Sequence, residues 1–171
     1  MANNILACCA SHIDTKYKPI FIDMMLESLL VNNIMQCDIS ISFKQTYEYN
    51  EKRYMTNGVN NFIKKLKIRF PDAKIYTHYN FDKEMSQFEH FNYLYHNFTG
   101  TADDKIMFID DDDILLRLPD EYLTKNIVQG YQYIPINTTD YDGTYEKNLE
   151  EIKETAKEKP INEVFNDQKT E

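Results

Sequence analysis

The stretch Lys105–Leu116 reads KIMFIDDDDILL. Its first five residues, Lys105–Ile109, read as a buried strand, and four aspartates follow without a break. Two carboxylates about 4 Å apart repel by roughly 4 kcal/mol at an effective dielectric of about 20. A run of four therefore either protonates in part or holds a cation. In an extended backbone alternate side chains share a face, so Asp110 and Asp112 point one way and Asp111 and Asp113 the other. A carboxylate pair on a rigid strand end suits a hard cation, and oxygen ligands favour Mg²⁺ or Mn²⁺ over zinc. Two carboxylates do not complete an octahedron, so water or phosphate oxygens supply the rest. The plainer alternative is an acidic loop kept for solubility. Against it stands the hydrophobic frame, with Ile106–Ile109 before the run and Ile114–Leu118 after it.

Working towards the N-terminus, the pattern alternates between two periods. NILACCA (Asn4–Ala10) is a continuous apolar run that suits a central strand buried on both faces. A polar loop, SHIDTKYK, leads to PIFIDMMLESLL. There Phe21, Met25 and Leu29, and likewise Ile22, Leu26 and Leu30, repeat at helical spacing behind Pro19. DISISF (Asp38–Phe43) alternates as a strand does. Val59, Phe62, Ile63, Leu66 and Phe70 mark a second helix stopped by Pro71, and KIYTHY (Lys74–Tyr79) a third strand. Phe88, Phe91, Leu94, Tyr95 and Phe98 mark a third helix, with Gly100 just beyond it. The order β-α-β-α-β-α-β predicts an α/β fold with a mainly parallel central sheet and helices on both faces. Ligands of such sheets sit beyond the carboxyl ends of the strands, where the aspartates lie.

Towards the C-terminus, GYQYIPIN (Gly130–Asn137) reads as an edge strand because of Pro135, and Thr144–Pro160 as a solvated helix. The expectation is one domain over residues 1–171, with its core in 4–139 and a charged helix and tail in 144–171.

The 171 residues are 42% hydrophobic and 27% charged, the composition of a globular domain with a real core. A net charge of −9 argues against a nucleic-acid partner, which needs a basic face. No apolar stretch approaches the roughly 18 residues of a membrane span, and the start MANNILACCA lacks the layout of a secretory signal. A cytoplasmic location is therefore expected. Cys8, Cys9 and Cys37 are odd in number and read as buried free thiols. There is no G-x-x-x-x-G-K-[ST] loop and no G-x-S-x-G elbow. The abundance of Asn, Lys, Ile and Tyr suggests an AT-rich genome, such as that of a virus.

KIMFIDDDDILL resembles the DXD region of GT-A-fold glycosyltransferases, in which an apolar strand runs into Asp-x-Asp. The preceding order of elements is similar too, and the resemblance covers Asn4 to Pro119. It implies a Rossmann-like GT-A fold, similar to the inverting glycosyltransferases of bacteria and viruses. It further implies a nucleoside-diphosphate sugar donor (a UDP- or GDP-sugar), a glycan or other hydroxyl acceptor, and Mn²⁺ or Mg²⁺ bridging the donor phosphates. Carried over by position, Asp110 matches the first Asp of the motif and Asp112 the second, while the register Asp111 with Asp113 stays open. One acid of the motif, Asp110 or Asp111, would also touch the ribose.

Ser11 and His12, in the loop after the first strand, become candidates for contact with base or ribose. Gln87 and His90 become candidates at the opening of the third helix. Gln87 lies within its apolar sector and His90 at the edge, so a structural hydrogen-bond partner is the alternative for both. Asp140, Asp142 and Glu163 are candidate bases. Two further readings differ in class: a degenerate binding module without activity, and another Mg²⁺-dependent nucleotidyl- or phosphoryl-transfer enzyme.

Overall fold

The computed structural model describes residues 5–97, 99–101 and 104–115, all within one compact unit bounded by Met1 and Leu118. The elements are β1 (Ile5–Ile13), α1 (Lys18–Val31), β2 (Gln36–Phe43), α2 (Tyr49–Arg69), β3 (Lys74–Asn80), α3 (Gln87–His96) and β4 (Lys105–Asp110). The four strands are all parallel, in the order β3-β2-β1-β4. The fold is α/β and compatible with a Rossmann-like arrangement. The chain steps outward from β1 to β3, then returns to the other side of β1. That reversal lies between β1 and β4, and sheets of this kind take their ligands in a crevice beyond the carboxyl ends of the strands at such a point.

The period-2 rule sorts β1 and β2 by face. Ala7, Cys9, Ile13, Cys37, Ile39, Ile41 and Phe43 join α1 and α2 residues in the main core. Leu6 and Cys8 face the other way and pack with Leu94 and Phe91 of α3. The adjacent Cys8 and Cys9 thus occupy opposite faces, and all three cysteines are free and buried.

α1 is buried nearly all round, including Glu27 and Ser28. Glu27 pairs with Arg69 of α2 at 2.5 Å, which offsets the cost of burying its charge. The helix ends in a Schellman turn. Asn33 takes φ 61°, Ile34 N–H donates to Leu29 O, and Asn33 N–H donates to Leu30 O. A capping box of Glu48 and Glu51 opens α2 three turns upstream of Val59.

Three sequence expectations change. β4 reads as buried, but Ile106 and Phe108 are 50% and 64% exposed. β4 is one of the two edge strands among the described residues, and α3 packs over β1 and β2, which leaves this face of β4 less covered. On α3, Phe88 and Tyr95 point outward, and the buried residues are His90 and Leu94. The serine face of β2 is as buried as its isoleucine face, because α3 lies over it.

Among the described residues, no helix is long and apolar enough to cross a membrane. The expected strand at 130–137 and helix at 144–160 lie outside the described residues, as do Phe98, Asp140, Asp142 and Glu163.

Candidate functional site

β4 ends at Asp110, and the chain turns at once: Asp111 and Asp112 are turn residues, closed by Asp113 N–H donating to Asp110 O at 3.1 Å. The backbone is therefore not extended through the run. The side chains still divide by environment. Asp111 is buried, Asp113 is half-buried, and Asp110 and Asp112 are exposed.

Three of the four acids meet a specific side-chain partner. Lys18, at the first position of α1, places Nζ 2.8 Å from Asp111 Oδ1 and 3.2 Å from Asp112 Oδ2. Ser11 Oγ donates to Asp111 Oδ2 at 2.6 Å. Both oxygens of Asp111 are thus engaged from β1 and α1. Gln87 Nε2 donates to Asp110 Oδ1 at 2.9 Å from the start of α3. Burial works against the charge of Lys18, yet the hydrogen bonds and charges of Asp111 and Asp112 hold its ammonium above the ordinary lysine value. Burial pushes Asp111 above the ordinary carboxylate value, with Lys18 and Ser11 pulling back and Asp112 adding to the push. Asp113 is raised by burial and then by Asp110.

No protein-family model matches the chain. No curated protein matches it.

Beside the aspartate turn lies a second polar cluster. His12 Nδ1 is 3.0 Å from Ser42 Oγ, and His12 Nε2 is 3.2 Å from Glu84 Oε1. Ser42 Oγ also meets His90 Nε2 at 3.0 Å and accepts Met85 N–H at 3.2 Å. Ser40 Oγ lies 2.8 Å from His90 Nδ1. Glu84 further accepts Gln45 N–H at 3.0 Å. Burial first, and His12 second, push the His90 imidazole down to about 4.

The candidates therefore separate into two groups. Asp110, Asp111, Asp112, Ser11 and Gln87 form one hydrogen-bonded set with Lys18, and Asp113 closes its turn. Ser11 is buried beneath Asp111 and presents no open hydroxyl. His12 and His90 belong to the neighbouring cluster, and His90 is 1% exposed with both ring nitrogens occupied.

Lys18, Ser40, Ser42 and Glu84 were not singled out from sequence. A faint signal existed for three of them. A lysine in the first turn of a helix runs against the helix dipole, which implies a nearby acid. Serines alternating within a central parallel strand imply a polar partner on the covering helix.

Among the described residues, no group of three or more His, Cys, Asp or Glu is gathered tightly enough to hold a metal ion alone. The donor set on offer is the exposed carboxylates of Asp110 and Asp112, with Asp113 beside them. All-oxygen ligands of that number fit a hard cation that completes its shell with water and phosphate.

Proposed function

We propose that this domain binds a nucleoside-diphosphate sugar together with Mn²⁺ or Mg²⁺ in the crevice beyond β1 and β4, and transfers the sugar to an acceptor hydroxyl. The observation that carries this reading is the aspartate turn at the reversal point of a parallel sheet, the position at which such folds take nucleotides. Asp110 and Asp112 would hold the cation, since Asp111 already spends both oxygens on Lys18 and Ser11. When bound, the cation would stabilise charge on the departing nucleoside diphosphate. Gln87 fixes the orientation of Asp110, and Lys18 fixes Asp111 and keeps the net charge of the turn tolerable before ligand arrives. His12, half-buried at the rim, would meet base or ribose only by giving up its contact with Ser42 or Glu84. The three free, buried thiols fit a cytoplasmic setting.

The test is a thermal-shift titration with UDP and GDP, with and without Mn²⁺. Stabilisation by a nucleoside diphosphate that requires the metal is expected. No metal-dependent stabilisation by either nucleotide would sink the reading.

Lys18 favours one alternative, a binding module without activity, because it supplies the turn with a counter-ion of its own. Sugar-nucleotide hydrolysis or transfer that disappears in Asp112→Ala rules that alternative out.

A further inference from the structure

The cluster around Ser42 obeys a strict hydrogen-bond count. Ser42 is fully buried, and its hydroxyl has one proton and two lone pairs. Met85 N–H takes one lone pair. The two remaining neighbours are His12 Nδ1 and His90 Nε2. One of these nitrogens must donate to Ser42 and the other must accept from it. They cannot both carry a proton, nor both be bare, without leaving a buried group unpaired.

The Glu84 carboxylate decides the direction. It accepts only, so His12 Nε2 carries a proton. When His12 is neutral its Nδ1 is bare and accepts from Ser42. His90 then donates through Nε2 to Ser42, and its Nδ1 accepts from Ser40. When His12 is charged, Nδ1–H donates to Ser42. The Ser42 proton turns towards His90 Nε2, which must now be bare, and the His90 proton sits on Nδ1 facing Ser40.

We propose that Ser42 couples His12 and His90 into a single proton-sensing unit, in which charging His12 at the rim switches buried His90 from its Nε2–H to its Nδ1–H tautomer. His90 stays neutral in both states. A second positive charge would direct three N–H donors at the single oxygen of Ser42. Burial of His90, with His12 beside it, disfavours that state as well.

The groups facing the pair come from every neighbouring element. The loop before α3 brings Glu84, and α3 brings Glu89, which is itself paired with Lys83. β2 brings Ser40 and Ser42 and, further along the same face, Asp38, whose carboxylate is tied to Thr99. β3 sets His78 beside Ser40 in register. The unit pins both ends of the segment Glu84–His90. Glu84 binds His12 and Gln45, Met85 binds Ser42, and His90 binds both serines. Gln87, the partner of Asp110, lies in the middle of that segment.

Long-range ¹H–¹⁵N correlation spectra of the full ¹⁵N-labelled chain, taken from about pH 8 to about pH 5, test the coupling. The expected result is that His90 changes tautomer with the same midpoint at which His12 becomes charged. In His12→Asn the His90 tautomer is expected to hold constant over the range. In Ser42→Ala it is expected no longer to follow His12. A His90 tautomer that is constant while wild-type His12 titrates overturns the proposal, as does one that still switches in His12→Asn. If Ser42→Ala does not fold, wild type and His12→Asn decide between the two outcomes.

Discussion

Lys18 stands where helix electrostatics disfavour it, at the positive end of α1, and its side chain is only 17% exposed. A cation is retained there only against a stronger opposing charge. Asp111, with a side chain 7% exposed, supplies that charge, and Ser11 satisfies its second oxygen. The pair is therefore better described as mutual neutralisation than as a net source of stability. Removing one partner leaves the other buried and uncompensated. Lys18→Met should destabilise the fold by about 3–5 kcal/mol near neutral pH, while the double change Lys18→Met with Asp111→Leu should lie close to wild type. Urea denaturation of the three proteins measures this. Equal losses in the single and double variants would mean that Lys18 acts through packing of its stem and not through the pair.

At the scale of elements, α3 orients the site. Ser86 caps the helix by accepting Glu89 N–H at 3.3 Å, and Glu89 returns a bond to Ser86 N–H at 2.8 Å. Lys83 and the two Ser86 contacts hold the Glu89 carboxyl down at about 2. Ser86→Ala should cost about 1 kcal/mol of global stability. Because Gln87 follows the cap directly, the amide protons of Glu89 and His90, which bond to Ser86 Oγ and Ser86 O, should also lose exchange protection beyond that global loss. Uniform loss across all three helices would show that the cap contributes stability without orienting Gln87. The elements themselves were legible in the sequence because each follows one period: Ile39, Ile41 and Phe43 for β2, and Val59, Ile63 and Leu66 for α2. What stayed hidden was which neighbour covers each face. The run Ile106–Ile109 announces a strand, but only its place at a sheet edge, beside the strands that α3 covers, explains why Ile106 and Phe108 are exposed. The aromatics of α3 suggest a stripe through Phe88, whereas the helix turns His90 inward because Ser40 and Ser42 offer it hydrogen bonds. The aspartate run was evident, but its partners Ser11 and Lys18 lie about a hundred residues away, and no local pattern encodes a contact of that range.

For the molecule as a whole, buried His90 and half-buried Asp23 pull the acid stability profile in opposite directions. His90 titrates at about 4 in the fold against 6.5 when free. The unfolded chain therefore binds the extra proton first, so its contribution is complete above about pH 6.5 and is lost as pH falls towards 4. Asp23 behaves oppositely. Burial, followed by its neighbour Glu27 one turn along α1, pushes it up to about 6 from 3.8, against the pull of Lys65 and Arg69. Its favourable contribution is complete below about pH 3.8 and is lost as pH rises through 6. Asp111 and Asp113 are also raised and share the sign of Asp23. Between about pH 4 and pH 6 the losses and gains offset, and the wild-type profile should be shallow. Asp23→Asn removes one side of that balance without adding a charge. The variant should be about 2 kcal/mol more stable than wild type at about pH 7, a value below the full shift because Asp23 is partly exposed. The advantage should vanish by about pH 4, where wild-type Asp23 is protonated in the fold. Left with the His90 slope less opposed, the variant should lose stability more steeply on acidification than wild type does. Urea midpoints of both proteins at about pH 7, 5.5 and 4 decide the matter. A gap that stays constant across the three values would mean that Asp23 is ionised throughout and that its neighbours Lys65 and Arg69 outweigh its burial.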